Sequence, residues 1–274
     1  MDDAIGRESN RYCVGAAYTT CFRPTPYMDM HLGHAWCAYR NWDISARLGG
    51  RFHLILDDEQ YRLSRHENNP VALSLAEAKE HYVEDLEWLG CPPDEVHFSS
   101  EARGLMLESA ARLNIREPQI VRPENPLEGM LFRRIGRSSG HIIQYTPWTT
   151  LSAVVEHHFF GVTGFCRGAD LVHEALLYDY LCCALGWVAP EQFYIPVVRR
   201  GWGYTKESKS DAGSHSHSSL RELRRLGITG EQVIDTLREL DFRREQEGRD
   251  AINIPLDVLN LPPLPGTIPY HLKT

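Results

Sequence analysis

The 274-residue sequence has no run of 18 apolar residues, no apolar leader ("MDDAIGRESN" is polar and acidic) and no polybasic anchor. Nothing in it is suited to span or grip a bilayer, so membrane roles are set aside and a cytoplasmic location is expected. Its seven cysteines are odd in number and show no repeated C-x-x-C spacing, which argues against a disulfide framework and a structural zinc site. A basic excess is missing too. The formal charge is −8, so there is no global attraction to nucleic acid, and any such partner must be argued from a local site. There is no internal repeat and no low-complexity tract.

What is present is an ordinary soluble composition, 42% apolar and 24% charged, long enough for one large domain or a main domain with a small insertion. Arg11–Tyr18 reads as a buried strand, His31–Leu48 as a helix stopped by Gly49-Gly50, and Arg51–Asp58 as a strand ending in carboxylates. Ser74–Gly90 is a second helix, Val96–Ser99 a short strand and Glu101–Leu113 a further helix. This alternation predicts an α/β fold built on a doubly wound parallel sheet. The pattern breaks over residues 114–144 and resumes with a helix from Thr149, a strand over Val162–Gly168, a helix over Ala169–Trp187 and a strand over Gln192–Val198. Two short helices, Ser218–Gly227 and Thr229–Leu240, and a proline-rich tail follow. Cys182 and Cys183 fall in an apolar run and read as buried thiols.

Two short motifs carry chemistry. In "HLGHAW", His31 and His34 share one face of a helix's first turn, just after a strand, where free backbone N–H groups and the helix dipole favour an anion. Gly33 lets a flat ring approach the backbone. In "TKESKSDAG", Lys206 and Lys209 form a cationic loop able to close over the same phosphates. Donors from both loops would stabilise the charge that develops at an α-phosphate under attack. Taken singly, H-x-x-H is more often a surface pair and K-x-x-K a solvated loop.

Taken in order, "PTP" and "HLGH", "GRFHLILDDE", "DLEWLG", "GVTGFCRGADL", "LGW" and "KESKS" resemble the signatures of class I aminoacyl-tRNA synthetases, specifically the glutamyl/glutaminyl group, from about Val14 to Gly227. The resemblance implies a Rossmann-type catalytic domain that uses ATP and Mg²⁺ to make an aminoacyl-adenylate. Its halves would be residues 1–101 and 145–213, separated by a shortened insertion (102–144) and followed by a small helical and proline-rich part (214–274) with no anticodon-binding domain. It also implies that His31, Gly33 and His34 match the HIGH motif. Lys206, Ser208, Lys209 and Ser210 match four of five KMSKS positions, with Lys209 the main phosphate clamp. Pro24 and Asp170 would lie at the ATP site, and Thr25, Asp57 and Arg167 at the amino-acid site.

The pattern departs from the family at three places. Cys21 stands where relatives carry a side-chain-clamping arginine, with Arg23 two residues on as a substitute, and Thr149 stands where a tyrosine is expected. Losing a bidentate clamp removes an interaction worth about 1.5–3 kcal/mol. Second, the insertion is short, and its Arg116, Arg122, Arg133, Arg134 and Arg137 are offset by Glu117, Glu124 and Glu128. Third, no anticodon-binding domain is expected after the lysine motif. The glutamyl-Q type of enzyme, which modifies a tRNA base, usually carries a cysteine zinc site in the insertion, but no cysteine lies between Cys91 and Cys166, so no zinc is expected. His215 and His217 read as a polar loop, and His157-His158 as a helix surface or pocket wall. The leading reading is an enzyme that activates an amino acid and passes it to an amine, thiol or carrier, with tRNA disfavoured as acceptor. A minimal tRNA-charging or tRNA-modifying enzyme and a non-catalytic ATP or amino-acid sensor are the alternatives.

Overall fold

The computed structural model describes residues 17–26, 28–59, 73–115, 120–121, 142–143, 148–200 and 219–254. Lys206, Ser208, Lys209 and Ser210, the insertion arginines, His215, His217 and the proline-rich tail lie outside the described residues, as do residues 11–16 of the expected first strand. That strand, β1, runs instead over Thr19–Phe22, and pairs in parallel with β2 (Arg51–Leu56), which pairs in parallel with β3 (Glu95–Phe98). On the other side of β1 lies β6 (Gly164–Gly168), where the Thr163 N–H donates to the Thr19 carbonyl at 2.8 Å. β7 (Glu191–Ile195) pairs in parallel with β6. The spatial order is therefore β3-β2-β1-β6-β7, the doubly wound arrangement that the alternation of strands and helices predicts. Between the two halves, the described residues show one antiparallel pair, β4 (Ile120–Val121) with β5 (Ile142–Ile143).

Helices cover both faces. Alternate strand residues point to opposite sides, so Phe22, Leu54 and Leu56 enter a core with α1 (Leu32–Arg47), α2 (Leu75–Trp88), α6 (Leu220–Arg225) and α7 (Gly230–Gln246). Cys21, Ile55 and Phe165 enter a second core with α3 (Arg103–Arg112), α4 (Trp148–Phe159) and α5 (Ala175–Leu185). Since α1 leaves β1 on one face and α5 follows β6 on the other, the β1/β6 boundary is the point where the winding reverses. A crevice opens at such a point, beyond the carboxyl ends of the strands.

Local sequence explains the helix limits. Ser74 and Glu77 form a reciprocal capping box at the start of α2, as do Thr229 and Gln232 at the start of α7. The single helix expected over residues 169–187 begins with a 3₁₀ stretch, Ala169–Glu174, and the helix expected over residues 229–240 extends to Gln246. The strand expected over residues 192–198 is broken at Pro196, which has no N–H for a ladder. Beyond it, β8 (Val197–Arg200) pairs instead with β9 (Ala251–Ile254), a strand the sequence did not announce. Cys182 is buried as expected but Cys183 is exposed, one position round the helix. No described helix is long and apolar enough to cross a membrane.

Buried Asn41 ties α1 to β6 at the reversal point. Its Oδ1 accepts from the Cys166 N–H at 2.8 Å, its Nδ2 donates to the Cys166 carbonyl at 3.1 Å, and Thr20 donates to the Asn41 carbonyl. These bonds satisfy buried polar groups and fix where the first turn of α1 stands against the sheet.

Candidate active site

The loop after β1 leads directly into the first turn of α1. His31 is the N-cap: its backbone is extended, and its Nδ1 accepts from the N–H groups of Gly33 (3.1 Å) and His34 (3.3 Å). The His31 and His34 rings stack with centroids 3.8 Å apart, and His34 also faces Phe22 and Tyr82. A Cβ on Gly33 would come within 3.0–3.1 Å of the His31 ring. The glycine thus leaves room for the capping imidazole itself, a steric need nearer at hand than the approach of a ligand ring.

The segment that carries Lys206 and Lys209 is anchored beside these histidines at both described ends. Ser219 forms an antiparallel bridge with His31, and the Leu220 N–H donates to the Met30 carbonyl at 2.9 Å. At the other end, Val198 in β8 has its Cβ 3.9 Å from where a Gly33 Cβ would stand. The chain leaves the histidine turn at Arg200 and returns to it at Ser219.

The second group of candidate residues surrounds Arg23. This guanidinium donates through Nε and Nη2 to both oxygens of Glu156 (2.6 and 2.8 Å), through Nη2 to Ser152 (3.0 Å), and contacts Asp57 at 2.9 Å. Ser152 and Ser99 donate to the Glu156 carboxylate. Glu156 and Asp57 are buried. Burial opposes the charge on Arg23, but Asp57 and Glu156 outweigh it and raise its pKa, so the group stays a cation. Arg23 is therefore already paired with two carboxylates, which together exceed its charge. Thr149, half-buried in the first turn of α4, shares a helix stripe with Ser152 and Glu156 at spacings of three and four. Pro24 is buried, and its carbonyl accepts from the Asp57 N–H at 2.9 Å, joining the loop after β1 to the end of β2; Thr25 beside it is half-buried.

Cys21 is buried, with its Sγ 3.3 Å from His157 Nε2, and His157 Nδ1 meets the Tyr178 hydroxyl at 2.7 Å. Burial pushes the thiol pKa far up and that of His157 well down, leaving both neutral. This cysteine–histidine pair is a packing contact and not a nucleophile with its base. His157 thus lies inside the second core, whereas the neighbouring His158 is exposed and stacks on Trp187 at 3.9 Å, so only the latter is helix surface.

Arg167, at the carboxyl end of β6, donates to Tyr194 (2.9 Å) and Gln192 (3.2 Å), lies 3.5 Å from Glu174, and packs over the rings of Phe165, Tyr178 and Tyr194. Asp170 is exposed, with its Oδ1 only 2.3 Å from where a Cβ on Gly168 would stand, so the glycine lets the carboxylate fold back over the strand end. Contacts run unbroken from Arg23 and Cys21 through His157 and Tyr178 to Arg167. Glu156, Ser152, Ser99 and Tyr178 join these contacts and were not singled out by the sequence. The signal available for Glu156 was a lone carboxylate inside the apolar helix "LSAVVEHHFF".

The geometry matches known proteins. A solved glutamate-tRNA synthetase from Elizabethkingia anophelis superposes with a TM-score of 0.56 at 18% identity, over 82% of this chain and 61% of that one. The fold is that of a class I aminoacyl-tRNA synthetase catalytic domain. Its sequence relatives narrow the class. Glutamate–tRNA ligase 2 of Neorickettsia sennetsu is 24% identical over 261 residues, covering 88% of this chain and 60% of the relative, and glutamate–tRNA ligase of Pyrococcus horikoshii is 33% identical over 343 residues, covering 92% and 59%. The chain thus has the class I catalytic fold and is similar in sequence to glutamate–tRNA ligases over most of its length. It spans about six-tenths of the length of these relatives. No protein-family model matches the sequence.

Proposed function

We propose that this protein activates an amino acid with ATP, supplied as its Mg²⁺ complex, to form an aminoacyl-adenylate and pyrophosphate. A carboxylate oxygen of the amino acid attacks the α-phosphorus, the bond from that phosphorus to the oxygen bridging to the β-phosphate breaks, and pyrophosphate leaves with the electron pair. His31 and His34 stand where the phosphates would pass the first turn of α1, and Gly33, Pro24 and Asp170 line the ATP side. Lys206 and Lys209, flanked by Ser208 and Ser210, supply cationic donors to the charge that develops in the transition state. Asp57 and Thr25 serve the α-amino group, and Arg167 belongs to the same amino-acid site. The observation that supports this reading is the antiparallel bridge between His31 and Ser219, the first described residue after Lys209 in the sequence.

The side-chain pocket is a poor host for a second carboxylate, because Arg23 is already held by Glu156 and Asp57. We infer a substrate other than glutamate at ordinary glutamyl-enzyme efficiency. For the acceptor, the charge of −8 and the mixed charges of residues 102–144 favour a small amine, thiol or carrier over a conventionally recognised tRNA. The alignment with the Pyrococcus enzyme runs over 343 positions, more than this whole chain, so that relative holds residues between matched segments that this chain lacks. A second reading, a minimal tRNA-charging or tRNA-modifying enzyme, draws on the names of the relatives. Pyrophosphate exchange over all common amino acids, with and without bulk tRNA, separates the two. Exchange that needs no tRNA and no labelled tRNA product supports the first, tRNA-dependent exchange or stable labelling of tRNA the second, and no exchange at all ends both.

A further inference from the structure

On the β3 side of the sheet, three donors converge on adjacent strands. His53 in β2 is directly opposite Glu95 in β3, and His97 lies two residues beyond Glu95 on the same face. One donor atom from each of the three lies within 4.8 Å of the other two. His53 is 5% exposed, and neither of its ring nitrogens finds a hydrogen-bond partner among the described residues. A buried imidazole with two unmet nitrogens is costly, and its neighbours are the atoms a cation would share with it. His97 Nε2 lies 3.3 Å from Glu95 Oε2 without hydrogen-bond alignment.

The surroundings fit a ligand set. Arg51 occupies Glu95 Oε1 at 2.9 Å and leaves Oε2 facing the imidazoles. Glu101, whose Oε1 accepts from the Phe98 N–H at 2.8 Å, holds its other oxygen 3.8 Å from His97 Nδ1. A carboxylate on that side of the ring adds negative charge near the cluster without a hydrogen bond to it. The His97 ring stacks on Phe160 at 4.3 Å, which limits its rotation.

We propose that His53, Glu95 and His97 form a divalent transition-metal site, best suited to Zn²⁺. Two imidazoles and one carboxylate are borderline ligands of the kind Zn²⁺ takes, and three protein ligands leave a fourth position for water. The site would clamp β2 to β3. It contains no cysteine and shares no residue with the candidate active site, so its test does not depend on the activation chemistry.

The test uses untagged, full-length protein stripped with a chelator and titrated with Zn²⁺ against a chromogenic competitor. Wild type should bind one Zn²⁺ at this site. His53→Gln and His97→Gln should each weaken that binding at least tenfold, and Glu95→Gln should weaken it as well, while His215→Ala/His217→Ala leaves it unchanged. X-ray absorption of the Zn²⁺-loaded wild type should show two imidazoles in the coordination shell, a readout that does not depend on the variants folding. No binding by wild type, binding unaltered in His53→Gln or His97→Gln, loss only in the His215/His217 variant, or a shell without two imidazoles would overturn the proposal.

Discussion

The two ends of the candidate active site are built by different means. The proposed nucleotide end is local: His31, Gly33 and His34 sit within one helical turn, and their arrangement follows from capping and spacing. The amino-acid end is assembled across the chain, with Arg23 meeting Glu156 at a separation of 133 residues and Cys21 meeting His157 at 136. Local geometry is therefore readable from sequence at the first end in a way it is not at the second. An arginine in the right place for a clamp turns out to be neutralised by carboxylates that no local pattern connects to it.

That contrast can be broken by substitution. The largest effect is expected on stability at the amino-acid end, where Glu156→Ala takes a shared acceptor from Arg23, Ser152 and Ser99 and leaves Asp57 to balance the arginine. Denaturant unfolding should show a loss of about 1–3 kcal/mol, and a value within error of wild type would mean these bonds are not formed in solution. Next, His34→Ala and Lys209→Ala at the nucleotide end should each lower pyrophosphate exchange roughly 10²-fold with the fold intact. Full exchange in both variants would sever the two motifs. Third, Glu156→Gln keeps the shape but removes one negative charge from Arg23, and should raise activation of glutamate relative to glutamine by about tenfold, the worth of one charge-assisted bond. A wild type already selective for glutamate would show instead that Arg23 changes partners when substrate binds.

The smallest effect concerns Asp85, buried in α2 behind the histidine turn, with neither carboxylate oxygen hydrogen-bonded among the described residues. Burial, opposed in part by Arg221, pushes its pKa up to about 7 from 3.8. The folded state thus holds this proton over a pH range in which the unfolded chain has released it, so the contribution of Asp85 to stability falls as pH rises from about 4 to about 7. Asp85→Asn should flatten that slope and raise the melting temperature at pH 7.5 by roughly 2–5 °C. Parallel melting curves for both proteins across pH 5–7.5 would refute the assignment.

Much of the fold was legible because periodicity is local. The helix beginning after His31 and the strand Arg51–Leu56 lie within two residues of where spacing puts them. β9 was not legible: four residues beside a proline-rich stretch are too short for the alternation of Ile252, Asn253 and Ile254 to announce a strand, and the pairing with β8 beyond Pro196 makes them one. At the site, the histidine turn was readable and the role of Arg23 was not, since a sequence shows a cation but not what neutralises it. His53, Glu95 and His97 escaped for a related reason. Their separation along the chain matches no ligand spacing, and only the pairing of β2 with β3 makes them neighbours.

The core on the α1 face holds one more consequence. Phe22, Met30 and Trp36 are buried with Leu220, Leu223, Val233, Ile234, Leu237 and Ile252, so residues near the start of the chain share an interior with residues some two hundred positions later. During synthesis, β1 and α1 emerge long before the helices that cover them, and their apolar side stays open to solvent or chaperones until α6 and α7 have left the ribosome. Contacts of such high order slow folding, because the loop must close before it is rewarded. A fragment ending after β7 would retain its five strands and still lack one wall of that interior.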